Sequence, residues 1–213
     1  MPYYTVLQGH NPGVYASWSA CQKEITGFHN ALFRKFDSSE EALKFLAKGG
    51  KVENVFVDGA CRGNGRSSRP EAGYGVYYGP GDDRNAAIPL DAAIKPTNQR
   101  AELMGLIHAL RNVYQELMHE TARRPTRILS DSQYSVRSFN EWSDKWRRNG
   151  WTNVKGETIA NATLIQELVN LKDRINSQYS SKGWSNIVAE HVEGHAGNLA
   201  NEEADRLANL GAD

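Results

Sequence analysis

Asp58, Glu102, Asp131 and Asp205 each sit at an end of a predicted core element: Asp58 closes VENVFVD, Glu102 lies in TNQRAEL, Asp131 closes TRILSD and Asp205 lies in NEEADRLA. Carboxylates that converge from separate elements repel one another unless cations lie between them. Hard divalent ions take oxygen ligands, so the layout predicts a site for two such ions. One ion would lower the pKa of a water while the other neutralises charge on a leaving oxygen, which is phosphodiesterase chemistry. A lone acid after a strand would mean little in a chain with 25 Asp and Glu, because most acids are solvated surface groups. The flanking segments DGACRGNG, TNQRAEL, SDSQYSV and GHAGNLANEEAD set these four apart.

The elements that would carry them divide near Gly49 and Gly50. Before that point YYTVLQG and VYASW read as strands joined at HNPG, where Pro and Gly supply turn dihedrals. SACQKEITG reads as a helix with Ser19 and Gln22 at capping-box spacing, ALFRKFD as a strand, and SSEEALKFLAK as a helix with Ser38 and Glu41 at the same spacing. This ββαβα unit is small, with a correspondingly small core. After the glycines, ENVFVD, GYGVYYG and NAAIPL suggest an antiparallel meander. Leu103, Leu106, Ile107, Leu110, Val113, Tyr114 and Leu117 have the spacing of a helix with one buried face. TRILSD is the next strand, parallel to the first if that helix is a crossover. A helix through Leu164 to Ile175, the strand WSNIVAEHV and the helix ANEEADRLANL complete the order βββαβαβα. The expected architecture is α/β, a mixed sheet flanked by helices, with Asp58 and Asp131 at one end of adjacent strands.

The 213 residues suit one domain of about 150 residues and a smaller one. Formal charge is zero, which by itself argues against a nucleic-acid partner. Its distribution argues the other way: from Ala122 to Lys155 eight Lys or Arg face three acids, and from Glu190 to Asp213 six acids face one Arg. A basic stripe beside an acidic pole fits a protein that grips a polyanion with one face and holds metals with another. Two cysteines, Cys21 and Cys61, make neither a disulfide framework nor a zinc site. No apolar run is long enough to span a membrane and the start has no signal-peptide pattern. The expected location is intracellular, nuclear or cytoplasmic, with a mitochondrial one left open.

With the motifs placed, residues 53–213 resemble the catalytic domain of type 1 cellular ribonucleases H, all four blocks falling in the family's order and spacing. The resemblance implies a five-stranded ribonuclease H-like sheet and hydrolysis of the RNA strand of RNA·DNA hybrids, leaving 5′-phosphate and 3′-hydroxyl ends. It also implies two Mg²⁺ ions, for which Mn²⁺ can substitute: one held by Asp58 and Asp205, the other by Asp58, Glu102 and Asp131. His195, between Gly194 and Gly197, reads on its own as an ordinary loop residue; the resemblance makes it an auxiliary catalytic group, and an imidazole suits proton transfer near neutrality. Asn64, Asn98 and Gln99 correspond to family positions that read the hybrid's minor groove, where 2′-hydroxyls are displayed. An N-cap is the ordinary role for Asn98. Thr97 and Asn161 correspond to a pocket for a DNA-strand phosphate, with Lys95 standing where close relatives have Arg. SFNEWSDKWRRNGW resembles the family's basic protrusion; Trp142 and Trp146 either pack into the core or, with Lys145, Arg147 and Arg148, line a channel for DNA.

Residues 3–48 resemble the family's N-terminal hybrid-binding domain, with Tyr4, Trp18, Phe33, Arg34 and Lys35 at its duplex-binding positions. The expected division is a hybrid-binding domain at 1–48, a junction at 49–52 and a catalytic domain at 53–213. Family members usually have a long flexible linker, so this chain is either a compact member or one whose linker has been removed. Removing residues 1–48 is expected to weaken hybrid affinity while leaving cleavage chemistry intact. The reading is a monomeric, hybrid-specific endoribonuclease. Against it stand a hybrid-binding scaffold with a degenerate nuclease, disfavoured by the four intact acids, and a DNA nuclease or integrase of the same fold, disfavoured by Asn98 and Gln99 beside Glu102.

Overall fold

A computed structural model of the chain describes residues 1–63, 71–91, 93 and 95–213. The first unit is β1 (Tyr3–Gln8), β2 (Gly13–Tyr15), α1 (Trp18–Ile25), β3 (Leu32–Phe36) and α2 (Ser39–Lys48), with antiparallel sheet order β2-β1-β3. Its helices lie on opposite faces of the sheet. Val6, Tyr15 and Cys21 pack together on the α1 side, while Leu7, Ala42 and Leu46 pack on the α2 side. Ser38 caps α2 through the Glu41 N–H, as its spacing predicts. The cap of α1 is Ser17 rather than Ser19, accepting from the Ala20 N–H; Ser19 lies inside the first turn.

The second unit is β4 (Glu53–Arg62), β5 (Glu71–Tyr77), β6 (Ala86–Pro89), α3 (Asn98–Met118), β7 (Thr126–Ser130), α4 (Gln133–Arg137), a π-helical turn (Ser138–Trp142), α5 (Ser143–Arg148), α6 (Ala162–Ser181), β8 (Val188–His191) and α7 (Leu199–Gly211). The sheet order is β6-β5-β4-β7-β8, with β4, β7 and β8 parallel and β5 and β6 antiparallel. This is the expected mixed five-stranded sheet. α3 and α6 cover one face, where Leu103, Leu106, Ile107, Leu110, Ile165, Leu168 and Ile175 meet Val55, Val57, Val76 and Ile128 in the main core. α7 lies across β4, β5 and β6 on the other. It approaches closely because Gly75 has no side chain: a Cβ there would stand 2.2 Å from the Ala204 carbonyl oxygen.

The two units do not pack as separable modules. Leu7, Val14, Ala42 and Leu46 share one apolar cluster with Phe56, Tyr77, Leu129, Val192, Ala200 and Ala204. The N-terminal unit thus helps bury the α7 side of the larger sheet, and deleting residues 1–48 would expose that surface to water. The eight cations of the basic run do not form one stripe either. Arg124 donates to the backbone carbonyls of Ala47, Lys48, Gly49 and Gly50, Arg127 binds Asn54, Glu190 and the Leu7 carbonyl, and Arg147 pairs with Asp173. Linear spacing could not reveal that these side chains turn inward or bridge elements. Among the described residues no helix is long and apolar enough to cross a membrane.

Because Gly75 sets the distance between β5 and the helix that carries Asp205, Gly75→Ala is expected to destabilise the fold by about 1–3 kcal/mol through overpacking. Denaturant melts check this; an unchanged midpoint would show that α7 can shift without cost.

Candidate active site

Asp58 lies within β4 rather than at its end, because antiparallel pairing with β5 runs on to Arg62 and Glu71. Parallel pairing with β7 stops at Phe56 and Leu129, so Asp58 and Asp131 fall level with each other just beyond the last paired residues. Glu102 projects from the start of α3, whose N-cap is Thr97, accepting from the Arg100 N–H at 3.3 Å. Asp205 lies in the middle of α7. The topology thus brings all four predicted acids to one place, although only Asp131 and Glu102 stand near element ends.

Asp58 is 6 % exposed. Burial, reinforced by Asp131 and then by Asp205 and Glu102, pushes its carboxyl from an ordinary 3.8 up to about 8, against the opposing pull of the Gly59 N–H, which donates to Oδ1 at 2.7 Å. Glu102 is also raised, first by burial and then by Asp131. Its two oxygens are held by donors, Oε1 by Asn98 Nδ2 at 2.6 Å and Oε2 by the Ser132 hydroxyl. Asp205 Oδ1 accepts from Asn209 Nδ2 at 3.0 Å. Gly194 lies so close to Asp131 that a Cβ would stand 2.7 Å from Oδ2, which brings the loop carrying His195 against the cluster. His195 itself is exposed, on left-handed backbone with φ 54°.

The all-oxygen donor set and an acid driven to hold a proton suit divalent cations. Among the described residues no three acidic, His or Cys side chains close into a cage that would hold an ion unaided. An ion such as Mg²⁺ needs no such cage, since it keeps several waters and takes one or two carboxylates together with substrate phosphate oxygens.

Asn98 is not the cap of α3 but lies in its first turn, where its side chain orients Glu102; Gln99 beside it is exposed. Arg100 links Lys95, Thr97 and Asn161: its Nε donates to Asn161 Oδ1 at 2.9 Å, its Nη1 to the Lys95 backbone carbonyl at 3.1 Å, and its backbone N–H to Thr97 Oγ1. Asn64 lies outside the described residues. Sequence reasoning passed over Arg100 and Ser132. Their only signal is position, two residues before Glu102 and one after Asp131.

Of the two protrusion tryptophans, Trp146 packs against the main core and Trp142 stands 5.6 Å from it, with the Arg137 guanidinium 4.7 Å over the Trp142 ring. Lys145 and Arg148 are exposed nearby. In the N-terminal unit, Trp18 lies between Tyr4 at 5.5 Å and Phe33 at 5.6 Å with its ring tilted to both, and both Trp18 and Phe33 are more than two-fifths exposed, at 43 % and 42 %. Lys35 pairs with Tyr4 in register and shares that face. Arg34 does not. It points to the opposite face, 5.3 Å from the rings of Phe36 and Phe45.

A family model described as RNase H matches residues 50–213, and one described as Ribonuclease H1 N-terminal domain matches residues 2–46. The chain therefore belongs to the ribonuclease H family, enzymes that cleave the RNA strand of RNA·DNA hybrids and generally use divalent metal ions. Similar proteins include Ribonuclease H1 of Mus musculus, 28 % identical with 99 % of this chain and 89 % of the mouse protein covered. Ribonuclease H of Legionella pneumophila (strain Lens) is 36 % identical, covering 76 % of this chain and 96 % of the relative. Among solved structures, LC9-RNase H1, a type 1 RNase H with the type 2 active-site motif, is 30 % identical with a TM-score of 0.52, covering 76 % of this chain and 72 % of that one.

The sign of the Asp58 effect is testable. Between about 3.8 and about 8 the folded chain holds more protons at Asp58 than the unfolded chain, so this group stabilises the metal-free fold at low pH and the stabilisation is lost as pH rises toward 8. In chelator, the melting temperature should fall more steeply from pH 5 to pH 8 than it does for Asp58→Asn, and Mg²⁺ should restore it at pH 8. Parallel slopes for the two proteins would remove Asp58 as the group that takes the shared proton.

Proposed function

We propose that the chain is an endoribonuclease that hydrolyses the RNA strand of RNA·DNA hybrids with two divalent ions, leaving 5′-phosphate and 3′-hydroxyl ends. In this reading residues 53–213 are the catalytic domain, 1–48 a hybrid-binding domain and 49–52 the junction. The observation that carries it is Asp58, almost wholly buried among three further carboxylates and driven to a pKa of about 8. That arrangement is costly as a structural feature and becomes favourable when cations lie among the acids.

Asp58 and Asp205 would hold one Mg²⁺, and Asp58, Glu102 and Asp131 the other. When bound, the ions supply an activated water and neutralise charge on the leaving oxygen. The protein's own groups do the positioning. Ser132 and Asn98 fix the Glu102 carboxylate in one orientation, Asn209 does the same for Asp205, and the loop of Gly194, packed on Asp131, carries His195, which would serve in proton transfer. Arg100, bonded through its guanidinium to Asn161 and the Lys95 carbonyl and through its N–H to Thr97, keeps these three residues near one another, where they would take a phosphate of the DNA strand. Trp18, Phe33, Tyr4 and Lys35 form a stacking and phosphate surface on the N-terminal unit, while Trp142 with Arg137, Lys145 and Arg148 serve at the protrusion.

Labelled RNA·DNA hybrid, double-stranded RNA and double-stranded DNA of one sequence test the reading. Cleavage is expected of the RNA strand of the hybrid alone, with Mg²⁺ or Mn²⁺ and not with Ca²⁺; activity that survives chelation would overturn it. Asp58→Asn should abolish turnover and keep hybrid binding. His195→Ala should slow turnover by about 10²-fold or less, as removal of a general acid or base does when other groups carry the main stabilisation. Loss as complete as that of Asp58→Asn would place His195 at the centre of the chemistry.

A further inference from the structure

Asn198 belongs to two units at once. It caps α7, its Oδ1 accepting from the Ala200 N–H at 3.3 Å, and the same oxygen accepts from the Val14 N–H of β2 at 3.3 Å. Its Nδ2 donates to the Pro12 carbonyl at 3.1 Å, and its backbone forms a β-bridge with Tyr15. The side chain is 2 % exposed, so these bonds are made away from water, where their loss is costly. Gly13 is packed so tightly on the Asn198 amide that a Cβ there would stand 2.2 Å from Oδ1. Asn198 immediately follows the loop of Gly194, His195 and Gly197, and it opens the helix that holds Asp205.

Further contacts hold the units in register, among them Arg127, which donates to the Leu7 carbonyl. The shared apolar cluster includes Val14 of the hairpin and Ala200 and Ala204 of α7. At the junction, Arg124 donates to four successive carbonyls, Ala47 at 2.5 Å, Lys48 at 2.9 Å, Gly49 at 3.1 Å and Gly50 at 3.2 Å, so the guanidinium both closes the C-terminus of α2 and pins the connecting segment. A connection held this way is not a flexible tether.

We propose that Asn198 is a positioning residue through which the docked N-terminal unit sets the start of α7 and the His195 loop, and with them the placement of Asp205. The N-terminal unit is then a structural part of the catalytic site as well as a surface for substrate. This inference rests on the reading of the four acids as a metal site, but part of its test does not.

The experiment uses the whole chain. Asn198→Ser keeps a cap for α7 and is too short to reach the hairpin, while Asn198→Asp keeps both accepted bonds and sets a carboxylate oxygen against the Pro12 carbonyl. Arg124→Met loosens the junction without touching α7. Amide hydrogen exchange should quicken across residues 194–206 in both Asn198 variants. The half-saturating Mg²⁺ concentration for hybrid cleavage should rise about 10-fold, the scale expected when a supporting partner of a metal ligand is lost. kcat at limiting Mg²⁺ should fall while KM for the hybrid stays unchanged. Arg124→Met should shift exchange and Mg²⁺ dependence the same way by a smaller factor. If Asn198→Ser does not fold, Asn198→Asp reads the same coupling. Faster exchange confined to residues 1–48, with Mg²⁺ dependence unchanged, would overturn the proposal. A parent chain that cleaves no hybrid would instead sink the nuclease reading, and exchange across 194–206 would still decide the coupling.

Discussion

Four carboxylates held in one partly buried place repel each other, and the rest of the structure has to resist that repulsion. Without cations the cluster relieves it by proton uptake, which falls on Asp58 because that group is the deepest and has acids around it. The site is therefore a region of stored electrostatic cost, stabilised elsewhere by packing. The main core under α3 and α6 supplies much of that packing, and α7 supplies more by lying directly on the sheet over Gly75.

The acids are also kept from turning away. Glu102 is held by donors on both oxygens, Asp205 by an Asn one helical turn on, and Asp58 by the N–H of the next residue. The bonds to Glu102 and Asp58 favour a charged carboxylate in a fixed direction, which opposes the effect of burial there. In the proposed metal site these bonds would hold the carboxylates in place ahead of an ion, with water and substrate oxygens completing its coordination.

Placing the N-terminal unit against the α7 side of the larger sheet solves two problems with one contact. A small ββαβα unit has a limited core of its own, and the larger sheet has apolar groups such as Leu129 and Val192 that need cover. Joined, each supplies what the other lacks. The consequence is that the aromatic surface of Tyr4, Trp18 and Phe33 and the four acids are held on one packed body. The orientation of the two surfaces follows from Arg124, Arg127 and Asn198.

The sequence by itself determined the order of the eight strands and of α1, α2, α3, α6 and α7, the cap at Ser38 and the four acids as candidates, but not the helical run from Gln133 to Arg148 that follows β7. Each feature it determined is written in short-range signals: hydrophobic period, turn residues, cap spacing and motif blocks in order. Position within an element was less legible, since Asp58 lies inside β4 only because β5 pairs on past it. The caps at Ser17 and Thr97 fell a residue or two away from the nearest capping pattern for a similar reason, helix starts being set by how the chain enters the packed unit. The roles of Arg100, Ser132, Arg124 and Asn198 were decided by tertiary structure alone. Each bonds to groups on another element, separated by 30 residues in Ser132 to Glu102, 61 in Arg100 to Asn161 and 186 in Asn198 to Pro12. No local pattern encodes such a partner, because a side chain's reach and direction depend on where the fold places both backbones.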